Sequence, residues 1–188
     1  KLPVTGKSTM GTSAMPTKPL FIQNPAAYKQ AQAIKQHDPT AFISYNKANG
    51  TPNFIAGQNL FSYASPQTPQ RVAYDFLQAN RELFKLQNPA QELTINNISN
   101  PDNLGITHIR LYQQYNGVRV FAADMVAHLN QQGQLVTING VYHPTPPQGT
   151  NTTPAITTEQ ARLRIAQSLG LDQPPIIPQT LKEQLHIH

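Results

Sequence analysis

The sequence predicts an α+β fold in which an antiparallel β-meander packs on an amphipathic helix, followed by a truncated second α+β unit. The first observation is a series of alternating apolar and polar runs, separated by turn residues, over residues 92–143. The second is a helical apolar stripe within residues 69–85, directly ahead of the meander. A further helix pattern begins at Thr157, but one helix and the start of a strand cannot bury a core of their own.

The chain begins its regular structure with a helix and a hairpin. Asn24 can cap a helix that runs to about Gln36, with Pro25 in the first turn, where its missing N–H is harmless. Asn49-Gly50 then tolerates the positive φ that a tight turn requires. The two strands around this turn cover residues 41–46 and 52–56.

The amphipathic helix is the strongest helical signal in the chain. Thr68 is a good N-cap, Pro69 suits the first turn, and the helix should end near Lys85. Its apolar side chains share one face, which we expect to pack on the sheet. They are Val72, Ala73, Phe76, Leu77, Leu83 and Phe84.

The meander is predicted to contain four strands. Asn116-Gly117 is a two-residue hairpin signal between its second and third strands. In the third strand the alternation changes phase between Val120 and Phe121, after which Phe121 and Ala123 should share a face. A bulge, or burial of both faces of the strand, would explain the change. The strands are expected near residues 93–98, 106–115, 118–129 and 135–142.

Four segments follow from these patterns. Residues 1–23 are predicted to form a flexible tether, and residues 24–143 an α+β domain with the hairpin as an N-terminal leader. Residues 144–156, rich in Pro and Thr, are predicted to form a linker. Residues 157–188 would begin a second, incomplete domain, with a Thr157–Gln160 capping box at its helix and Gly170 after the helix end.

The composition excludes several classes of protein. The chain has 188 residues, no cysteine, 21 Gln and 15 Asn, so disulfides, thiolate metal sites and cysteine nucleophiles are ruled out. No apolar run approaches the roughly 18 residues of a membrane-spanning helix, and we expect no membrane partner. The net charge of +5 comes from lysines scattered singly through the first third, so we expect no nucleic-acid partner.

The titratable residues form no recognisable catalytic or cofactor site, and we predict a chain that is not itself an enzyme. No H-E-x-x-H, G-x-S-x-G or phosphate-binding loop is present. His108 and His128 should be neighbours on adjacent strands, and Asp124 shares a face with His128 if the strand is regular. We interpret them as packing residues. His186 and His188 would share a strand face, but we predict no metal site there.

The central sequence resembles a known family. Residues 105–124, GITHIRLYQQYNGVRVFAAD, and residues 133–140, GQLVTING, are similar to the fungalysin/thermolysin propeptide (FTP) domain, and the helix before them fits the same family. The helix from Thr157 to Leu169 resembles the start of a PepSY domain. The family-motif residues, to which we assign a structural role, are His108, Gln114, Tyr115, Asn116, Gly117, Val120, Phe121, Asp124, Asn139 and Gly140.

The resemblance implies a noncatalytic propeptide region of a secreted zinc metalloprotease, which would act as intramolecular chaperone and inhibitor. The expected partner is the catalytic domain of a thermolysin- or fungalysin-like protease, with no cofactor held by the chain itself. We expect a secreted or extracellular protein whose signal peptide is removed or lies outside this sequence. The alternative is a free-standing secreted or surface binding module with no protease in the same gene.

Overall fold

A computed structural model describes residues 24–174 and the backbone of residues 186–187; the predicted tether lies outside these ranges. The helices are α1 (Pro25–His37), α2 (Pro69–Ala79), α3 (Arg81–Phe84), α4 (Pro89–Glu92) and α5 (Thr158–Leu169). The strands are β1 (Phe42–Tyr45), β2 (Pro52–Phe61), β3 (Leu93–Ile98), β4 (Thr107–Tyr115), β5 (Val118–Leu129), β6 (Leu135–Gly140) and β7 (His186–Ile187).

The described strands form one sheet in the order β1-β2-β6-β5-β4-β3, in which all neighbours are antiparallel. Strands β3 to β6 are the predicted meander, and the β1–β2 hairpin joins it beside β6. β7 pairs in parallel with the beginning of β5, where Arg119 faces His186. The α+β prediction is confirmed.

The helix caps follow the sequence signals. The Asn24 side chain accepts from the backbone N–H groups of Ala26 and Ala27, and the Thr157 side chain accepts from Gln160 N within a complete capping box. Gly170 ends α5 in the left-handed conformation, with φ +64°. Each cap occupies backbone groups that a helix end leaves without partners.

The single helix predicted over residues 69–85 is wrong in one respect, since it is divided at Asn80. Both the backbone N–H and the side-chain Nδ2 of Asn80 donate to the carbonyl oxygen of Phe76, and α3 starts immediately afterwards. A short amide side chain competes in this way with the regular helical pattern. Lys85, at φ +57°, then ends α3 at the predicted position.

One face of the sheet carries the core. Helices α1, α2 and α3 place their apolar side chains on it, including the whole predicted stripe. Phe76 contacts Phe61 and Phe84 in edge-to-face geometry, with ring centroids 6.2 and 6.3 Å apart. The buried sheet residues include Ile55, Leu93, Ile109, Leu111, Met125, Ala127, Leu129, Leu135 and Ile138.

The phase change in β5 is real, but its predicted position is wrong. Phe121 is 53% exposed, whereas Val120 and Ala123 are buried, so Phe121 does not share the face of Ala123. Ala122 adopts φ +53°. Tyr112 pairs with Asp124 but Gln114 pairs with Arg119, so β5 contains three extra residues. The bulge therefore spans Val120–Ala123, and its odd number of extra residues reverses the alternation of buried and exposed side chains.

The first residues after β6 are fastened to the domain. The Gln113 side chain exchanges hydrogen bonds with the backbone of His143, at 2.8 and 3.1 Å. Thr145 donates from its backbone N–H to Lys85 O at 3.2 Å and from its hydroxyl to the buried carboxylate of Glu92. Further along the chain, Ile165 of α5 is 45% exposed to solvent.

Candidate functional site: the open face of the sheet

The face of the sheet opposite the core, called here the open face, collects several of the predicted motif residues. Cross-strand pairing places His108 of β4 opposite His128 of β5, and His128 opposite Thr137 of β6. Side chains of every second residue along a strand point to the same face of the sheet, so every second cross-strand pair lies on one face. The open face includes Phe42, Ser44, Phe54, Ala56, His108, Arg110, Tyr112, Asp124, Val126, His128, Thr137 and Asn139.

A line of four side chains crosses the open face from the β3–β4 loop to β6. The carboxylate Oδ2 of Asp102 lies 2.9 Å from His108 Nε2, and His108 Nδ1 lies 2.8 Å from His128 Nδ1. On the far side, His128 Nε2 lies 2.8 Å from Asn139 Oδ1. The two imidazole planes are nearly perpendicular, at 88°, with ring centroids 4.9 Å apart. We call these four residues the histidine line.

Two members of the histidine line have shifted pKa values. Hydrogen bonds from the backbone N–H of Ile106, the His108 ring and the backbone N–H of Leu104 lower the pKa of Asp102, which is therefore a carboxylate at neutral pH. The pKa of His128 is lowered mainly by burial, although its hydrogen bond to Asn139 opposes the shift. His128 is consequently held in its neutral form at neutral pH.

Asp102 is the neighbour of the histidine pair that sequence reasoning missed. The register places Asp124 on the face of His128, as the sequence indicated, but the Asp124 carboxylate binds the Arg119 guanidinium at 2.9 Å. Arg119 also lies over the Tyr112 ring, 4.7 Å from its centroid, and so ties the two ends of the bulge together. The signal for Asp102 is its tight loop: its side chain accepts from Leu104 N and Ile106 N, directly ahead of β4.

The motif residues around the β4–β5 turn have structural positions. Asn116 and Gly117 adopt φ +49° and +79°, as a two-residue hairpin turn requires. Gln114 Nε2 donates to Gln91 O of α4 at 3.1 Å, and the Tyr115 hydroxyl donates to Pro147 O at 3.2 Å. These contacts join the turn to α4 and to the segment that follows β6.

The remaining motif residues lie at the bulge and at the end of β6. Val120 is buried and Phe121 is exposed, as described above. Asn139 belongs to the histidine line. Gly140 lies against the backbone of β5, where a Cβ would come 2.2 Å from Asp124 O. The ten motif residues therefore fall into three places: the histidine line, the hairpin turn, and the bulge with its neighbour Gly140.

The chemistry available at the open face is the binding and sharing of protons. Among the described residues, no group of three or more His, Asp or Glu side chains could hold a metal ion. The side chains of His186 and His188 lie outside the described part of the chain. Within residues 24–174, none of the helices is both long and apolar enough to span a bilayer.

Comparison with known proteins identifies the meander. The family model of the fungalysin/thermolysin propeptide motif matches residues 92–142, which extend from the end of α4 through β6. Thermolysin of Alicyclobacillus acidocaldarius subsp. acidocaldarius and thermolysin of Bacillus caldolyticus are each 30% identical over 127 residues, which are 67% of this chain and 22% of each relative. Bacillolysin of Bacillus cereus is 28% identical over 102 residues, or 53% of this chain and 18% of the relative.

The chain thus spans about a fifth of the length of the curated relatives that it matches. The motif is a propeptide motif and not a catalytic domain. These matches confirm the FTP resemblance, whereas the PepSY resemblance after residue 157 stays a prediction. Residues 92–142 of this chain are a fungalysin/thermolysin propeptide motif, folded as the four-stranded meander β3–β6 with the histidine line on its open face.

Proposed function

We propose that this chain is the noncatalytic propeptide region of a secreted zinc metalloprotease, which assists folding of the catalytic domain and keeps it inactive until cleavage. The observation that carries the proposal is the coincidence of the propeptide motif, residues 92–142, with the complete four-stranded meander β3–β6. A propeptide requires a stable surface and no catalytic groups of its own.

The partner is the catalytic domain of a thermolysin-like protease. The relatives named thermolysin and bacillolysin are about five times longer than the part that matches this chain. A catalytic domain in the same precursor would meet the propeptide at the high effective concentration of a linked pair, so that a modest contact surface suffices for inhibition.

The open face offers that contact surface. Phe42 is 60% exposed and Phe54 39% exposed, and their ring centroids lie 6.4 Å apart on neighbouring strands. Arg110 lies on the same face, two residues along β4 from His108. Exposed aromatic side chains and an arginine on one surface are typical of energetically important contacts. We assign the catalytic domain to this face.

The domain division also belongs to the proposal. Residues 24–143 would form the folding unit, residues 144–156 the connection, and residues 157–188 the start of a PepSY-like unit. Hydrogen bonds from His143 and Thr145 fasten the start of the connection, whereas Asn151 and most residues up to Thr157 are exposed. An exposed segment after a fastened one suits proteolytic separation.

The test uses the purified chain and a thermolysin-like protease. The catalytic domain, denatured without its own propeptide, is refolded with increasing amounts of the chain, and the recovered peptidase activity is measured after dilution or proteolytic removal of the chain. We expect the yield of active protease to rise at least tenfold, and the folded protease to be inhibited in a separate titration. No change in yield and no inhibition would contradict the proposal. Binding without either effect would favour the free-standing module instead.

A further inference from the structure

The histidine line is a hydrogen-bonded chain that can be completed in only some protonation states. The Asp102 carboxylate accepts, so His108 Nε2 must carry a hydrogen. The 2.8 Å contact between the two Nδ1 atoms needs one hydrogen between them, because one nitrogen donates and the other accepts.

Two states satisfy every contact. With both rings neutral, His128 donates from Nδ1 to His108, and the Asn139 amide, whose two ends are assigned from the hydrogen-bond network, turns its NH₂ group toward His128 Nε2. With one added proton, His128 Nε2 donates to Asn139 Oδ1, and the shared Nδ1 hydrogen satisfies the contact from either ring. The arrangement with this hydrogen on His108 is favoured, because the positive charge then lies next to the Asp102 carboxylate.

In the doubly protonated state, no arrangement of hydrogens satisfies the contact between the two Nδ1 atoms. Each Nδ1 would then carry a hydrogen directed at the other, across a distance of 2.8 Å, and two positive rings would be held with centroids 4.9 Å apart. The rings can accept the second proton only by separating. Separation breaks the contact that joins β4 to β5, and it disturbs Asp102 and Asn139 at the two ends of the line.

We propose that the histidine pair is a proton-operated switch of the open face, which holds β4, β5 and β6 in register near neutral pH and loosens them when both imidazoles are protonated in mildly acidic conditions. The part of the proposal that concerns protease release rests on the proposed function above. The part that concerns the fold does not depend on it.

The charged groups around the pair favour the first proton and oppose the second. Asp102, from the β3–β4 loop, is the single carboxylate in hydrogen-bond contact with the pair among the described residues. On β4, Arg110 follows His108 on the same face, and on β6 the neighbouring side chains Thr137 and Asn139 are uncharged. Asp124 of β5 is farther along the strand and is neutralised by Arg119. The lowered pKa of His128 agrees with this arrangement.

The direction of the pH effect follows from linkage. His128 binds a proton less readily in the folded protein than in the unfolded chain, whose ordinary histidine pKa is 6.5. The unfolded state therefore gains protons first as the pH falls, and stability is fully present above about pH 6.5 and is lost progressively below it.

The first test is an NMR titration of the imidazole Cε1–H resonances in the full chain between pH 8 and 4.5. We expect the His128 resonance to titrate below the ordinary histidine value of 6.5, and the two paired rings to respond to one another with biphasic curves. Independent curves for His108 and His128, with no lowering of the His128 midpoint, would overturn the proposal.

The second test measures urea unfolding at pH 7.5, 6.5 and 5.5 for the wild type, His128→Gln and the matched control His37→Gln. Uptake of one proton changes the unfolding equilibrium constant by up to about tenfold per pH unit. We expect the wild type and His37→Gln to lose stability equally, and His128→Gln to lose at least threefold less over the same interval. Equal losses in all three proteins would contradict the switch. The NMR titration decides the question if His128→Gln does not fold.

The third test separates the switch from the proposed function. Binding of the wild type and His128→Gln to a folded thermolysin-like protease is compared at pH 7.5 and 5.5. A wild-type affinity that falls at least threefold more than that of the variant supports release by protonation. Equal falls would overturn control of release while leaving the proposed function intact. Absence of binding at both pH values, together with coupled NMR titrations, would reject the proposed function and keep the switch in the fold.

Discussion

Gly140 lies so close to Asp124 that no side chain fits between them. A Cβ built at Gly140 would be 2.2 Å from the Asp124 carbonyl oxygen and 2.7 Å from Met125 Cα. Gly140 has φ +143°, and the next residue, Val141, donates its backbone N–H to the same Asp124 oxygen at 2.9 Å. The motif glycine thus allows β6 to end against the point where β5 leaves its bulge.

Gly140→Ala should therefore destabilise the domain by about 2–4 kcal/mol, because the backbone of β5 must move and the positive φ is unfavourable for alanine. The matched control is Gly133→Ala. Gly133 also has a positive φ, +71°, but no atom lies within 4 Å of its added Cβ, so we expect a cost of only about 1 kcal/mol. Urea unfolding at pH 7.5 measures both, and equal costs would show that the close approach is unimportant.

Glu92 is expected to hold the segment after β6 in place. Its buried carboxylate accepts from the backbone N–H groups of Gln87 and Asn88, at 2.7 and 2.6 Å, and from the Thr145 hydroxyl. Glu92→Ala should cost about 2–3 kcal/mol, because it removes three hydrogen bonds to a buried carboxylate. Limited proteolysis should then cut near Thr145 faster than in the partly exposed control Glu82→Ala. Unchanged cleavage and unfolding would contradict this role.

Asp38 should contribute stability that depends on acid pH. Its burial raises its pKa, but hydrogen bonds from the Thr40 hydroxyl and from the backbone N–H groups of Asn59 and Thr40 outweigh that effect and place it below the ordinary 3.8. The contribution is therefore present above about pH 4 and is lost as the pH falls through the lowered pKa. Asp38→Asn should show a flatter stability profile between pH 5 and 2.5 than the exposed control Asp172→Asn. Thermal unfolding across this range provides the comparison.

The aromatic pair Phe42 and Phe54 on the open face should contribute to the affinity for the partner and little to the stability of the fold. The double variant Phe42→Ser/Phe54→Ser should keep the wild-type unfolding midpoint within a few degrees, since Phe42 is 60% and Phe54 39% exposed and neither belongs to the buried core. Its affinity for a folded thermolysin-like protease should fall at least tenfold, measured by inhibition titration at pH 7.5. The control is Leu104→Ser, which alters an 80% exposed residue on the β3–β4 loop. Equal affinities for the two variants would show that the protease does not contact the open face at these rings.

Local signals in the sequence predicted most elements of the fold. Asn24, Thr68 and Thr157 each marked a helix start, and Asn116-Gly117 marked a turn, because caps and tight turns depend on a few neighbouring residues. The apolar alternation predicted the meander for the same reason. The break at Asn80 was missed, since its side chain could equally well have pointed into solvent.

Only the tertiary structure decided which residues form the site. The sequence placed His108 and His128 on adjacent strands, but it is the strand register that brings their Nδ1 atoms within 2.8 Å of each other. The conformation of the β3–β4 loop then brings Asp102 to the pair. The extra residues of the β5 bulge turn Phe121 outward, and across the bulge the Asp124 carboxylate forms an ion pair with Arg119. Periodicity specifies a strand and its faces, whereas cross-strand contacts depend on register, bulges and loop closure, which arise from the packing of distant segments.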